Sequence, residues 1–95
     1  MRVGHIATFA VVGLYLLVPP VASTINNPAA DPKAPLSRWR QFGGEYSSAN
    51  ECSGEITAAR RNYQGAQQQD ADYDVKLALP YAQCIASDDQ RLKGR

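Results

Sequence analysis

The sequence predicts a small α+β domain, one helix packed on two short strands, stapled by a disulfide and preceded by a signal peptide. Three observations lead there. A capping box at Ser48–Glu51 opens a stripe of small and apolar residues at helical spacing. Two short runs, around Trp39 and around Cys84, have strand character. Cys52 and Cys84 are the only two cysteines and lie 32 positions apart.

The helix is the clearest element. Ser48 offers a side-chain oxygen to a free backbone N–H, and Glu51 reaches back. Ala49, Cys52, Ile56, Ala59, Tyr63 and Ala66 follow at spacings of 3, 4, 3, 4 and 3, which lines them along one face. Glu51 and Glu55 sit near the positive end of the helix dipole, and Arg60 and Arg61 near the negative end. The helix is expected from Ser48 to about Gln64, with Gly65 as its stop.

The strands are shorter. Arg38 to Phe42 reads as one, broken by Gly43-Gly44. Val75, Leu77 and Leu79 alternate with Lys76 and Ala78, a period-2 signal, although a helix from Val75 to Leu79 also ends well before Pro80. Tyr81 to Ala86 is the preferred second strand, because a cysteine there reaches the helix. Between helix and strand, QQQDADYDV is a polar connector.

The N-terminal part reads as targeting. Arg2 precedes an uncharged run of 13 residues from Ile6 to Val18. Pro19-Pro20 ends it, and the small residues Ala22 and Ser23 follow Val21. A basic end, an apolar core of about 7–15 residues and a small-residue exit form the order of a secretory signal. Residues 1–23 are therefore expected to be a signal peptide cut after Ser23 or Ala22, and residues 24–37 a disordered leader rich in proline. The ordered domain is then 38–95. The alternative is an uncleaved N-terminal membrane anchor, which needs about 20 apolar residues and reaches that length only by including the proline pair.

Removing residues 1–23 takes away one base and no acid. Nine cations and nine acids remain, so 9 − 9 = 0. A neutral domain has no field to steer nucleic acid. Export leads to an oxidising compartment, secreted or periplasmic, where Cys52 and Cys84 close a structural disulfide. Metal binding lacks ligands, because the one histidine, His5, lies in the signal. The same absence excludes a Cys–His catalytic pair from the mature chain, and a redox pair would sit at Cys-x-x-Cys spacing.

Each candidate site faces a plain reading. Asp70, Asp72 and Asp74 open like a calcium loop, but Val75 and Tyr81 stand where the motif needs Gly and Glu. Adjacent Asp88 and Asp89 point to opposite faces of a strand, so they suit capping better than acid–base work. Trp39, Phe42 and Tyr46 form either a stacking face or a core. Arg60 and Arg61 form either an anion grip or a solvated helix end. Hydrolase and phosphate-loop motifs are absent.

Three segments together, PLSRW, SSANEC and CIASDDQRLK, resemble an uncharacterised family of small exported bacterial proteins. Pro35, Leu36, Ser37 and Trp39 carry the first part, and Tyr46, Ser48, Ala49, Glu51 and Cys52 the second. Cys84 to Asp89 and Arg91 to Lys93 carry the third, with Gln90 where that pattern has proline. The resemblance implies no activity, cofactor or catalytic residue. It does single out Asp88, Asp89 and Arg91 in the tail, which together with Trp39 of the aromatic surface are the candidate partner-binding residues. The functional expectation is a non-enzymatic, envelope-associated interaction module with a protein partner. A membrane-anchored form, or an enzyme accessory using Asp88 and Asp89, is the alternative.

Overall fold

The computed structural model describes residues 13–22 and 28–93. The α+β class and the Cys52–Cys84 disulfide are as expected, with two helices and small antiparallel sheets. In chain order the elements are β1 (Leu14–Val18), β2 (Val21–Ala22), β3 (Ala29–Ala30), β4 (Arg40–Tyr46), α1 (Ala49–Tyr63), α2 (Tyr73–Ala78) and β5 (Gln83–Ala86). Short 3₁₀ turns lie at Leu36–Arg38, Leu79–Tyr81 and Gln90–Leu92.

The main sheet has three strands, not two, and the central one comes from the stretch assigned to the signal. Its order is β4-β1-β5. Leu14 pairs with Tyr46 on one side and Ala86 on the other, and Leu17 with Gln41 and Gln83. Successive residues of a strand point to opposite faces, and both faces of β1 are covered. Leu16 and Val18 join Cys52, Ala59, Ala78 and Leu79 in a cluster under the helices. Leu17 joins Trp39 and Ile85 in a second cluster on the other face, with Tyr15, Leu36 and Leu92 against it. A strand buried on both faces needs apolar residues at every position, so LYLLV lacks the alternation that marks a half-buried strand. Fully burying a Leu or Val side chain stabilises by about 1.5–3 kcal/mol. Leu16 and Leu17 are fully buried and Val18 is 2 % exposed.

β4 runs through Gly43-Gly44 instead of stopping there. Between the Tyr15–Glu45 and Leu17–Gln41 pairs, one residue of β1 faces three of β4. That bulge is turned by Gly43 at φ +79°, in the left-handed region that favours glycine.

Pro19 is fully buried, and the chain then folds back on itself. β2 pairs with β3, and the Asp31 N–H donates to the Pro20 carbonyl at 2.8 Å. From Pro28 onward, the stretch expected to be a disordered leader is thus built into the fold. Residues 1–12 and 23–27, which hold the rest of the expected signal and leader, lie outside the described residues.

α1 begins as its sequence predicts. The Ser48 Oγ accepts from the Glu51 N–H at 3.1 Å. Glu51 reaches one residue further back than a capping box requires. Its Oε1 accepts from the Ser47 N–H at 2.9 Å and from the Ser47 hydroxyl at 3.2 Å. Cys52 and Ala59 are buried, whereas Ala49 at the head of the stripe is exposed.

The period-2 reading of Val75–Leu79 does not hold. Tyr73–Ala78 is helical and passes into the Leu79–Tyr81 turn. Val75, Ala78 and Leu79 stand at i, i+3 and i+4, so one helix face carries the three residues that pack on the first cluster. The second strand is Gln83–Ala86, inside the preferred Tyr81–Ala86 run.

Candidate functional site

The tail named by the resemblance is folded against the body. Its 3₁₀ turn starts at Asp89, whose Oδ1 accepts from the Arg91 N–H at 2.8 Å. Arg91 closes back on the same carboxylate, with Nε to Oδ1 at 3.1 Å and Nη2 to Oδ2 at 2.8 Å. This fork pulls the Asp89 carboxyl down to about 2, mainly through its hydrogen bonds to Arg91. The turn swings Leu92 onto the Leu17–Trp39–Ile85 cluster. The Ser87 N–H donates to the Gly13 carbonyl at 2.9 Å, which ties the tail to the head of β1.

These contacts place the four residues that the sequence offers for partner binding. Trp39 is 3 % exposed, and its Nε1 donates to the Ala34 carbonyl at 2.8 Å, so it is a core residue. Asp89 and Arg91 are engaged with each other. Asp88 is exposed. Asp89 is shifted toward a weaker base, opposite to the upward shift a general acid requires. Asp88 and Asp89 lie together in the turn after β5, whereas Glu45 lies on β4, on the other side of β1. Among the described residues, no group of three His, Cys, Asp or Glu side chains is placed to hold a metal ion. Asp70, from the acidic run, instead closes its own turn by accepting from the Gln67 N–H at 2.9 Å.

The site that the structure assembles lies elsewhere. A cleft of about 570 Å³ opens between the C-terminal half of α1 and the α2–Pro80 segment. Ligand clefts typically measure about 300–1,000 Å³. Arg60 and Arg61 come to it from the last turn of α1, and Lys76 from α2. Tyr63, Leu79 and Pro80 supply an apolar wall, with Thr57 and Gln64 as neutral polar neighbours. Among the described residues, no carboxylate lines the cleft. Tyr63 is itself braced, edge-on to Phe42 with ring centroids 6.0 Å apart.

Lys76 is held in place. Its Nζ donates to the Ala66 carbonyl at 2.9 Å and lies 5.8 Å from the centre of the Tyr73 ring. An ammonium carries three donors, so two remain for a ligand. The described residues hold one ion pair, Asp89–Arg91, which leaves Arg60 and Arg61 without an acidic partner among them. Both arginines were legible as a candidate anion grip. Lys76 was not, because its convergence on them depends on how α2 packs.

A second, smaller concavity of about 280 Å³ is lined by Gly13, Glu45, Tyr46 and Ser47. Burial raises the Tyr46 phenol above its usual value, and the Glu55 and Glu51 carboxylates add to the effect. That shift disfavours phenolate, so Tyr46 is not primed as a base.

No protein-family model, curated protein or solved structure matches this chain. Among the described residues, no helix is long and apolar enough to cross a membrane.

Proposed function

We propose that the protein is a small, non-enzymatic interaction module of an oxidising, extracytoplasmic compartment, and that its contact surface is the cationic cleft between α1 and α2. The observation that carries this reading is the convergence of Arg60, Arg61 and Lys76 on an apolar wall, with no carboxylate among the described residues that line the cleft. Like charges gathered in one concavity repel each other, and a bound anion relieves that repulsion. Guanidinium forks match carboxylates in a bidentate way. Tyr63, Leu79 and Pro80 accept an apolar group beside the charge. The partner is therefore an acidic peptide segment with a carboxylate next to an apolar side chain. The disulfide supports the compartment, since such bonds persist where the surroundings are oxidising.

The test is a titration of the isotope-labelled full chain with a short peptide of alternating Glu and Leu, followed by NMR. Amide shifts centred on Tyr63, Gln64 and Lys76, weakening as salt rises and absent in R60E/R61E, are the expected result. Shifts scattered over the surface, or unchanged in R60E/R61E, would overturn the reading. A peptide of alternating Lys and Leu serves as the control and should leave the cleft unmoved.

A further inference from the structure

The segment Gly13–Ala22 has the composition of a targeting sequence and the position of a keystone. Among the described residues, β1 is the one strand that pairs with both β4 and β5, and those two do not pair with each other. Its residues enter both apolar clusters, on opposite faces of the sheet. Its head accepts the Ser87 N–H through the Gly13 carbonyl, and its exit is tied by the Asp31 N–H to the Pro20 carbonyl and by the Val21–Ala30 pair. A cut after Ala22 or Ser23 followed by loss of the N-terminal piece would leave β4 and β5 without a common neighbour. Two rows of backbone groups would lose their partners, and the places of Leu16, Leu17 and Val18 would be empty.

We infer that Gly13–Ala22 is a permanent part of the folded protein, and that any maturation cut compatible with this fold falls before Gly13. Ala22, which the sequence offers as the small-residue exit of a signal, is then a paired strand residue and not a processing site: it pairs with Ala29 across β2 and β3. The apolarity of Leu14–Val18 serves burial, and the Pro19-Pro20 pair turns the chain out of the sheet with Pro19 itself enclosed. A corollary follows from the same geometry. Residues 24–95 alone form an incomplete sheet whose missing strand is an uncharged, extended peptide of the sequence GLYLLVPPVA.

The first measurement is the N-terminal sequence and intact mass of the disulfide-bonded full-length gene product recovered from outside the cytoplasm of a bacterial host. The expected N-terminus lies at or before Gly13; one at Ser23 or Thr24 would overturn the inference. The second measurement does not depend on secretion. Residues 24–95, produced oxidatively, should lack cooperative unfolding and a dispersed NMR spectrum, and the synthetic peptide GLYLLVPPVA should restore both. Cooperative unfolding of 24–95 without the peptide, with the Trp39 emission of the full chain, would overturn the inference. So would a fragment that a scrambled peptide of the same composition restores equally well.

Discussion

Leu16 and Cys84 stand opposite each other in the ladder between β1 and β5. The disulfide at Cys84 therefore ties the first turn of α1 to the strand that pairs with the centre of the sheet. The Cα atoms of Cys52 and Cys84 are 6.2 Å apart, within the range a disulfide spans. Cys52 is fully buried in the same cluster as Leu16, so bridge and apolar core are one structure.

Removal of the bridge is expected to cost a large part of the stability. On the chain-entropy account, closing a loop with this separation contributes about 3.7 kcal/mol. A core in a domain this small supplies roughly 3–5 kcal/mol. The variant C52A/C84A, unfolded in urea, should lose on the order of 3–4 kcal/mol. An unfolding midpoint equal to that of the parent would show that the staple is dispensable. The native protein should also leave a thiol reagent unreacted until it is reduced.

What the sequence revealed depended on how local the signals were. α1 was readable because its cap, its 3-4 stripe and its end charges all lie within the helix. The cysteine pair was readable by elimination. β1 was hidden because a strand buried on both faces and the apolar core of a leader peptide have the same composition; only the partners β4 and β5 tell them apart. Val75, Leu77 and Leu79 fit a strand template, yet Val75, Ala78 and Leu79 fit a helix equally well, and packing under the sheet decided. The cleft was half visible, with Arg60 and Arg61 legible and Lys76 brought in by α2. Asp89 was legible as a cap, while the burial of Trp39 was weighed but not settled.

Leu92 should prove structural. It is half-buried against the Leu17–Trp39–Ile85 cluster, so Leu92→Ala is expected to cost about 1–2 kcal/mol, below the 2–5 typical of a fully enclosed Leu. Trp39 emission should shift to longer wavelength as water gains access to the indole. Deletion of Ser87–Arg95 should act more strongly, because it also removes the Ser87–Gly13 hydrogen bond. A truncated chain with unchanged stability and emission would return the tail to the status of a free appendage.

The Asp89–Arg91 fork sets a pH dependence of definite sign. The Asp89 carboxyl is lowered in the folded state to about 2, chiefly by its hydrogen bonds to Arg91. An unfolded Asp titrates near pH 4. The fork's contribution is thus fully present above about pH 4 and is lost as the pH falls through the window from about 4 to 2. In an NMR titration of the side-chain carboxyl, Arg91→Ala should move the Asp89 midpoint up toward the usual carboxylate range. An unmoved midpoint in that variant would remove Arg91 as the cause.

Gln90 occupies the first position of the 3₁₀ turn, and the φ typical of such a turn is close to what a proline ring imposes. The residue before it, Asp89, has φ −63° and ψ 129°, an extended geometry that a following proline favours. The hydrogen bonds that close the turn are donated by Asp89, Arg91, Leu92 and Lys93, so proline at position 90 removes no donor that the turn uses. Gln90→Pro is therefore expected to stabilise the protein by about 0.4–1 kcal/mol, by restricting the unfolded chain. Chemical denaturation of the two proteins side by side measures this. A loss of stability would mean that the Gln90 side chain or its N–H has a native partner, and that the tail's turn depends on more than the Asp89 cap and the seating of Leu92.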